Sequence, residues 1–197
     1  MMEIVAHRIN SLEQLKLLPT KFGCEIDIRS QGSKLILNHE PYLSGDSLVD
    51  YLDNYKHGLL VLNIKEAGIE NDVLKLVRER NISSFFLLDV EFPYLYSASR
   101  LGERAIAVRF SEDEPIELVN KYNQLVDWVW VDTNTKLPID SSKILAMSSM
   151  QTCLVCPERW GRPDDIIPYR KTMKLIGFSP TAVMTNLKYT HLWEQDI

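Results

Sequence analysis

The chain has 197 residues, enough for one domain with a full core and short for two. Apolar residues make up 45% and charged residues 25%, the profile of an ordinary soluble globular protein, and eight glycines and nine prolines are spread along it without marking a disordered tail or linker. A net charge of −5 and a pI of about 5.4 argue against a nucleic-acid binder, which needs a basic face.

The opening segment, Met1 to His7, has neither a basic leader nor an apolar signal core. No apolar run approaches the roughly 20 residues that span a bilayer, so no membrane span is expected. Cys24, Cys153 and Cys156 are an odd set, and at least one stays outside any internal disulfide. A reducing, cytoplasmic setting is the simplest expectation.

Strand-like apolar runs follow in chain order at Ile4–His7, Cys24–Ile28, Leu35–Asn38, Leu59–Ile64, Phe85–Val90, Ala105–Phe110, Trp128–Asp132, Thr152–Cys156 and Ala182–Thr185. Helical stripes lie between them. Leu12, Leu15 and Leu18 form one, with Ser11 as N-cap. Leu48, Leu52 and Tyr55 form the next, capped by Asp46 or Ser47. Val73, Leu74, Val77 and Arg80 follow, then Ile116, Val119 and Tyr122, then Ile167, Tyr169, Met173 and Ile176, stopped by Gly177. The second and third runs are so close, with a turn at Gln31-Gly32, that they read as one hairpin-like excursion. Eight β/α units remain. The expected fold is a compact (β/α)8 barrel of TIM type, formed by residues 1–197 as a single domain. An open doubly wound sheet is second choice, because no Gly-rich turn follows the first strand.

Residues of one parity share a face of a strand. Glu25 and Asp27 share one. So do Leu59, Val61, Asn63 and Lys65; Phe85, Leu87, Asp89 and Glu91; Ala105, Ala107, Arg109 and Ser111; and Trp128, Trp130, Asp132 and Asn134. The opposite parity is nearly all aliphatic or aromatic. The polar parity is therefore expected inside a barrel, near its C-terminal mouth, where barrel enzymes place their chemistry.

Four segments carry a resemblance. Ile4-Val5-Ala6-His7-Arg8, Cys24-Glu25-Ile26-Asp27-Ile28, Leu35-Ile36-Leu37-Asn38-His39-Glu40 and Leu62-Asn63-Ile64-Lys65 resemble, in order and spacing, the His-Arg, Glu-x-Asp, second-histidine and Glu-x-Lys motifs of the glycerophosphodiester phosphodiesterases. Met184-Thr185-Asn186 resembles their closing Thr-Asp. The resemblance implies a metal-dependent phosphodiesterase of lipid metabolism on a barrel. It casts His7 and His39 as the acid/base pair, Glu25 and Asp27 as ligands of Mg2+ or Ca2+, and Arg8 and Lys65 as holders of phosphate oxygens. The partner it implies is a small-molecule phosphodiester.

The residue types suit that chemistry in their own right. Displacement at a phosphodiester builds charge on oxygen, and a hard cation on carboxylates offsets it. A histidine on each side can take one proton and give another, help typically worth about 10²–10⁴-fold.

The departures from the pattern are specific. Ile9 follows the His-Arg pair, where the family usually has glycine. Asn63 stands where a carboxylate ligand is usual, so the third metal ligand would be a neutral oxygen and binding weaker; Asp89 or Glu91 could compensate. The family's long insertion after the second histidine is missing, which points to an open mouth and a different substrate.

Other features carry less. Cys153 and Cys156 have CxxC spacing but no second ligand pair, so buried thiols are expected. Trp128 and Trp130 read as core. Arg109, inside an apolar strand, either binds an anionic substrate group or pairs with Asp89 or Asp132. His57 and His191 fit no motif.

The leading expectation is a divalent-metal phosphodiesterase acting on a glycerophosphodiester-like or sugar-linked substrate. The alternatives are a catalytically weak relative that binds a phosphorylated ligand, and a barrel of another enzyme class.

Overall fold

The computed structural model describes residues 2–195 of a mixed α/β fold. The chain packs as two compact units, Val5–Ala98 and the residues up to Ile4 together with those from Ser99 onward.

Up to Arg100 the elements run β1 (Glu3–Ala6), α1 (Leu12–Leu17), β2 (Gly23–Gln31), β3 (Lys34–Leu37), β4 (Asp46–Ser47), α2 (Leu48–Asp53), β5 (Leu60–Ile64), α3 (Glu70–Glu79), β6 (Phe85–Leu88) and α4 (Phe92–Arg100). β2 is the organising strand. It lies parallel to β1, with Val5 opposite Gly23, and parallel to β5, with Asp27 opposite Asn63. Its far end turns back as a hairpin onto β3, with Gln31 opposite Lys34, as the short gap in the sequence predicts. Gly23 has to be glycine: a Cβ there would stand 2.3 Å from the Leu59 carbonyl oxygen.

Local chemistry sets the element ends. Ser11 forms a capping box with Gln14, each side chain meeting the other's backbone N–H at 3.1 Å. Ser47, not Asp46, caps α2. Asp46 instead accepts the Leu12 N–H at 2.7 Å. Val5, Ile26, Leu48, Leu60, Leu62, Val73, Val77 and Phe86 are all fully buried. Each large side chain so buried contributes about 1.5–3 kcal/mol.

One parity expectation is corrected. β6 pairs with β5 so that Phe86 lies opposite Val61 and Leu88 opposite Asn63. The face level with Asn63 therefore carries Phe86 and Leu88, not Phe85 and Leu87. The strand ends at Leu88, and Asp89 turns into the left-handed region with a φ of 59°.

The second unit repeats the plan with β7 (Ala107–Phe110), α5 (Ile116–Tyr122), β8 (Trp128–Val131), α6 (Ser141–Ala146), β9 (Gln151–Val155), α7 (Ile166–Ile176), β10 (Ala182–Thr185) and α8 (Thr190–Glu194). β7 to β10 pair in chain order, all parallel. Gly177 ends α7 with a φ of 73°. The expected β/α repetition is thus present in each unit; closure into a full barrel is not shown. Among the described residues no helix is long and apolar enough to cross a membrane.

Candidate active site

The site is built where the C-terminal ends of β1 and β5 flank the middle of β2, its residues all within Val5–Ala98. His7 and Arg8 are the first residues past β1. Arg8 adopts a φ of 55°, so the tight turn falls at this residue and not at Ile9. A left-handed non-glycine residue costs roughly 1–2 kcal/mol. The return is a backbone N–H aimed at a carboxylate, since Arg8 N donates to Glu25 Oε2 at 2.9 Å. Ile9 is buried and its N–H donates to the Glu25 carbonyl at 3.0 Å.

Glu25 and Asp27 lie side by side on β2, 2% and 1% exposed at their side chains. Around Glu25 stand His7, with Nε2 4.0 Å from Oε2, and Asn63, whose Nδ2 donates to Oε1 at 2.8 Å. Asp27 Oδ2 accepts from Asn10 Nδ2 at 2.8 Å and lies 3.7 Å from Arg8 Nε. Asn10 Oδ1 in turn accepts the Asp27 N–H, also at 2.8 Å. Lys65 Nζ stands between two carboxylates, 3.3 Å from Asp27 Oδ1 and 3.5 Å from Asp89 Oδ2.

Burial pushes the Glu25 carboxyl up to about 7, and the neighbouring charge of Asp27 adds to the rise; the Asn63 amide and Arg8 N–H oppose it. Asn63 Oδ1 is buried and accepts no hydrogen bond. Two buried carboxylates and an amide oxygen lacking a donor form a hard-oxygen donor set, the type that suits Mg2+ or Ca2+. Among the described residues no group of three or more His, Cys, Asp or Glu is gathered for a metal, so the set depends on the amide.

His39 lies beyond the end of β3, and its ring is turned to Glu40, with Nδ1 2.7 Å from Oε1. That contact with His39 holds the Glu40 carboxyl below its usual range. The structure thus gathers His7, Arg8, Glu25, Asp27, Asn63 and Lys65 through direct contacts. His39 joins them through its backbone, where Arg29 donates to the carbonyls of both His39 and Lys65.

Asn10, Arg29 and Glu40 were not anticipated. Arg29 had a signal, since it shares parity with Glu25 and Asp27. Asn10 had none, because its contact spans a turn made by Arg8.

In the second unit Arg109 is paired with Asp132, one of the partners expected for it. Trp128 and Trp130 are buried, as are the thiols of Cys153 and Cys156, which form no disulfide. Burial pushes Cys156 up to about 11. His57 packs on Tyr55, with Nε2 2.9 Å from the Leu18 carbonyl oxygen, and His191 is exposed.

No protein-family model and no curated protein matches the sequence. Solved structures do match the fold. A glycerophosphodiester phosphodiesterase from Agrobacterium tumefaciens strain C58 superposes with a TM-score of 0.67 at 13% identity, over 94% of this chain and 97% of that one. A glycerophosphoryl diester phosphodiesterase from the same organism gives 0.66 at 8% identity, over 94% and 93%. At such identities the likeness speaks for the fold.

Proposed function

We propose that the chain is a divalent-metal-dependent phosphodiesterase, acting in the cytoplasm on a glycerophosphodiester-like or sugar-linked small molecule. One observation carries the reading. On a fold shared with two phosphodiesterases, His7, Arg8, Glu25, Asp27, Asn63 and Lys65 converge on three neighbouring strands, past the end of β1, on the middle of β2 and at the end of β5.

In this reading Glu25, Asp27 and Asn63 Oδ1 hold Mg2+ or Ca2+, which when bound supplies Lewis acidity to a phosphate oxygen. Arg8 and Lys65 offer their charges to the other phosphate oxygens. His7, beside Glu25, takes the proton from the attacking oxygen. That oxygen belongs either to water or to a neighbouring hydroxyl of the substrate, the latter route giving a cyclic phosphate. His39, more exposed and oriented by Glu40, returns a proton to the leaving oxygen. Arg109 meets an anionic group of the substrate only if it gives up Asp132.

A second reading, a relative that binds a phosphorylated ligand with little turnover, is favoured by Asn63, which brings no charge and donates to Glu25. Screening the pure protein on aryl and natural phosphodiesters with Mg2+, Ca2+ or chelator separates the two. Metal-dependent turnover supports the first; ligand binding without turnover supports the second.

A further inference from the structure

Arg29 is the third polar residue of odd parity on β2, after Glu25 and Asp27, and lies on their face of the strand. Its Nε and Nη2 donate to the His39 carbonyl oxygen at 3.1 and 3.0 Å, and its Nη1 donates to the Lys65 carbonyl oxygen at 3.1 Å. Topology explains why those two carbonyls need it. β3 stops at Leu37, before His39, and β5 stops at Ile64, before Lys65. The Lys65 N–H still reaches the Ile28 carbonyl at 3.0 Å. The following β2 donor, Ser30 N–H, goes to Glu66 Oε1 at 2.8 Å instead. The ladder has run out at both strand ends, and a backbone carbonyl in a half-buried position requires a donor.

We propose that Arg29 is a positioning residue for the candidate reaction, locking the backbone of the proton donor His39 and of the phosphate-binding Lys65 to one guanidinium. The proposal rests on the roles given to those two residues above. Both side chains depart from backbones whose carbonyls share that planar group, so their spacing is fixed by β2 and not by their own loops. His39 is then held at both ends, its carbonyl by Arg29 and its ring by Glu40. A lysine does not reproduce this, because its ammonium lacks the rigid planar fork that spans the two carbonyls. Arg29 spends these three N–H groups on backbone, so its effect on the reaction is indirect.

The test combines kinetics with histidine NMR on Arg29→Lys and Arg29→Ala in the full chain. For a positioning role kcat falls by about 10- to 100-fold while KM changes by less than about threefold, and Arg29→Lys recovers little. Added guanidinium ion partly rescues Arg29→Ala, and ammonium does not. The ring signals of His39 shift while those of His57 and His191 stay, at near-wild-type melting temperature. A rise in KM with kcat preserved, restored by lysine, would show substrate contact and overturn the proposal. So would His39 signals that do not move, or a general loss of fold in both variants. If the wild-type protein cleaves no phosphodiester, the functional reading fails on its own, and the histidine spectra still judge the clamp.

Discussion

Two clusters of charge, one in each unit, are built differently. In the second, Arg109 on β7 is paired with Asp132 just past β8, and Trp128 and Trp130 on β8 are buried. In the first, Glu25, Asp27 and Asp89 meet Lys65 and Arg8, and an amide oxygen in their midst has no donor. A paired charge is compatible with a purely structural role. A buried surplus of oxygen ligands, with a glutamate driven up to about 7, is costly in a protein that has only stability to gain. On the proposed reading the first cluster serves a ligand and the Arg109–Asp132 pair serves the fold.

The largest expected effects are at the histidines. His7→Ala and His39→Ala are each expected to lower phosphodiester turnover by at least about 10²-fold with circular dichroism and melting unchanged. Near-normal rates would remove that residue from the chemistry. Next comes the metal. Calorimetry is expected to show Mg2+ or Ca2+ binding that Glu25→Gln with Asp27→Asn abolishes. Asp132→Asn, at the closed pair, is expected to leave binding intact and lower the melting temperature by a few degrees.

Much of this contrast was legible in the sequence. Among the described residues the apolar runs place nine of the ten strands, because buried strands read as short apolar runs between turn signals. The two-residue β4 has none. α4 begins Phe92-Pro93 and α6 buries no residue, so neither showed a clean apolar stripe. The parity rule grouped Glu25 with Asp27 and Asn63 with Lys65 correctly, since β2 and β5 are regular and in register. It failed on β6, where pairing is offset by one residue and Asp89 reaches Lys65 only through its left-handed turn. Asn10 and Glu40 were invisible because their contacts depend on loop geometry.

A finer test concerns Asn63. Asn63→Glu replaces a dipole with a charge and is expected to tighten metal binding by about tenfold, with Asn63→Ala weakening it. Unchanged affinity in Asn63→Glu, with a larger loss in Asp89→Asn, would move the third ligand to Asp89, just past β6. The smallest effect is in pH. The Glu25 carboxyl sits at about 7 in the fold against an unfolded value of 4.5, so the folded state holds its proton more tightly. In chelator, stability is therefore expected to fall as pH rises from about 4.5 through 7. Glu25→Gln should flatten that slope and melt higher than wild type at pH 8 but not at pH 4.5. A slope that survives the substitution would assign it to another group.

The most direct measurement is the rate of phosphodiester cleavage as a function of added Mg2+ or Ca2+, with chelator as baseline and Asp27→Asn alongside. A metal-dependent enzyme shows a saturable rise in the wild-type rate, full suppression by chelator, and a lost or strongly right-shifted rise in Asp27→Asn. Cleavage that persists unchanged in chelator, or an identical metal response in Asp27→Asn, would contradict that reading.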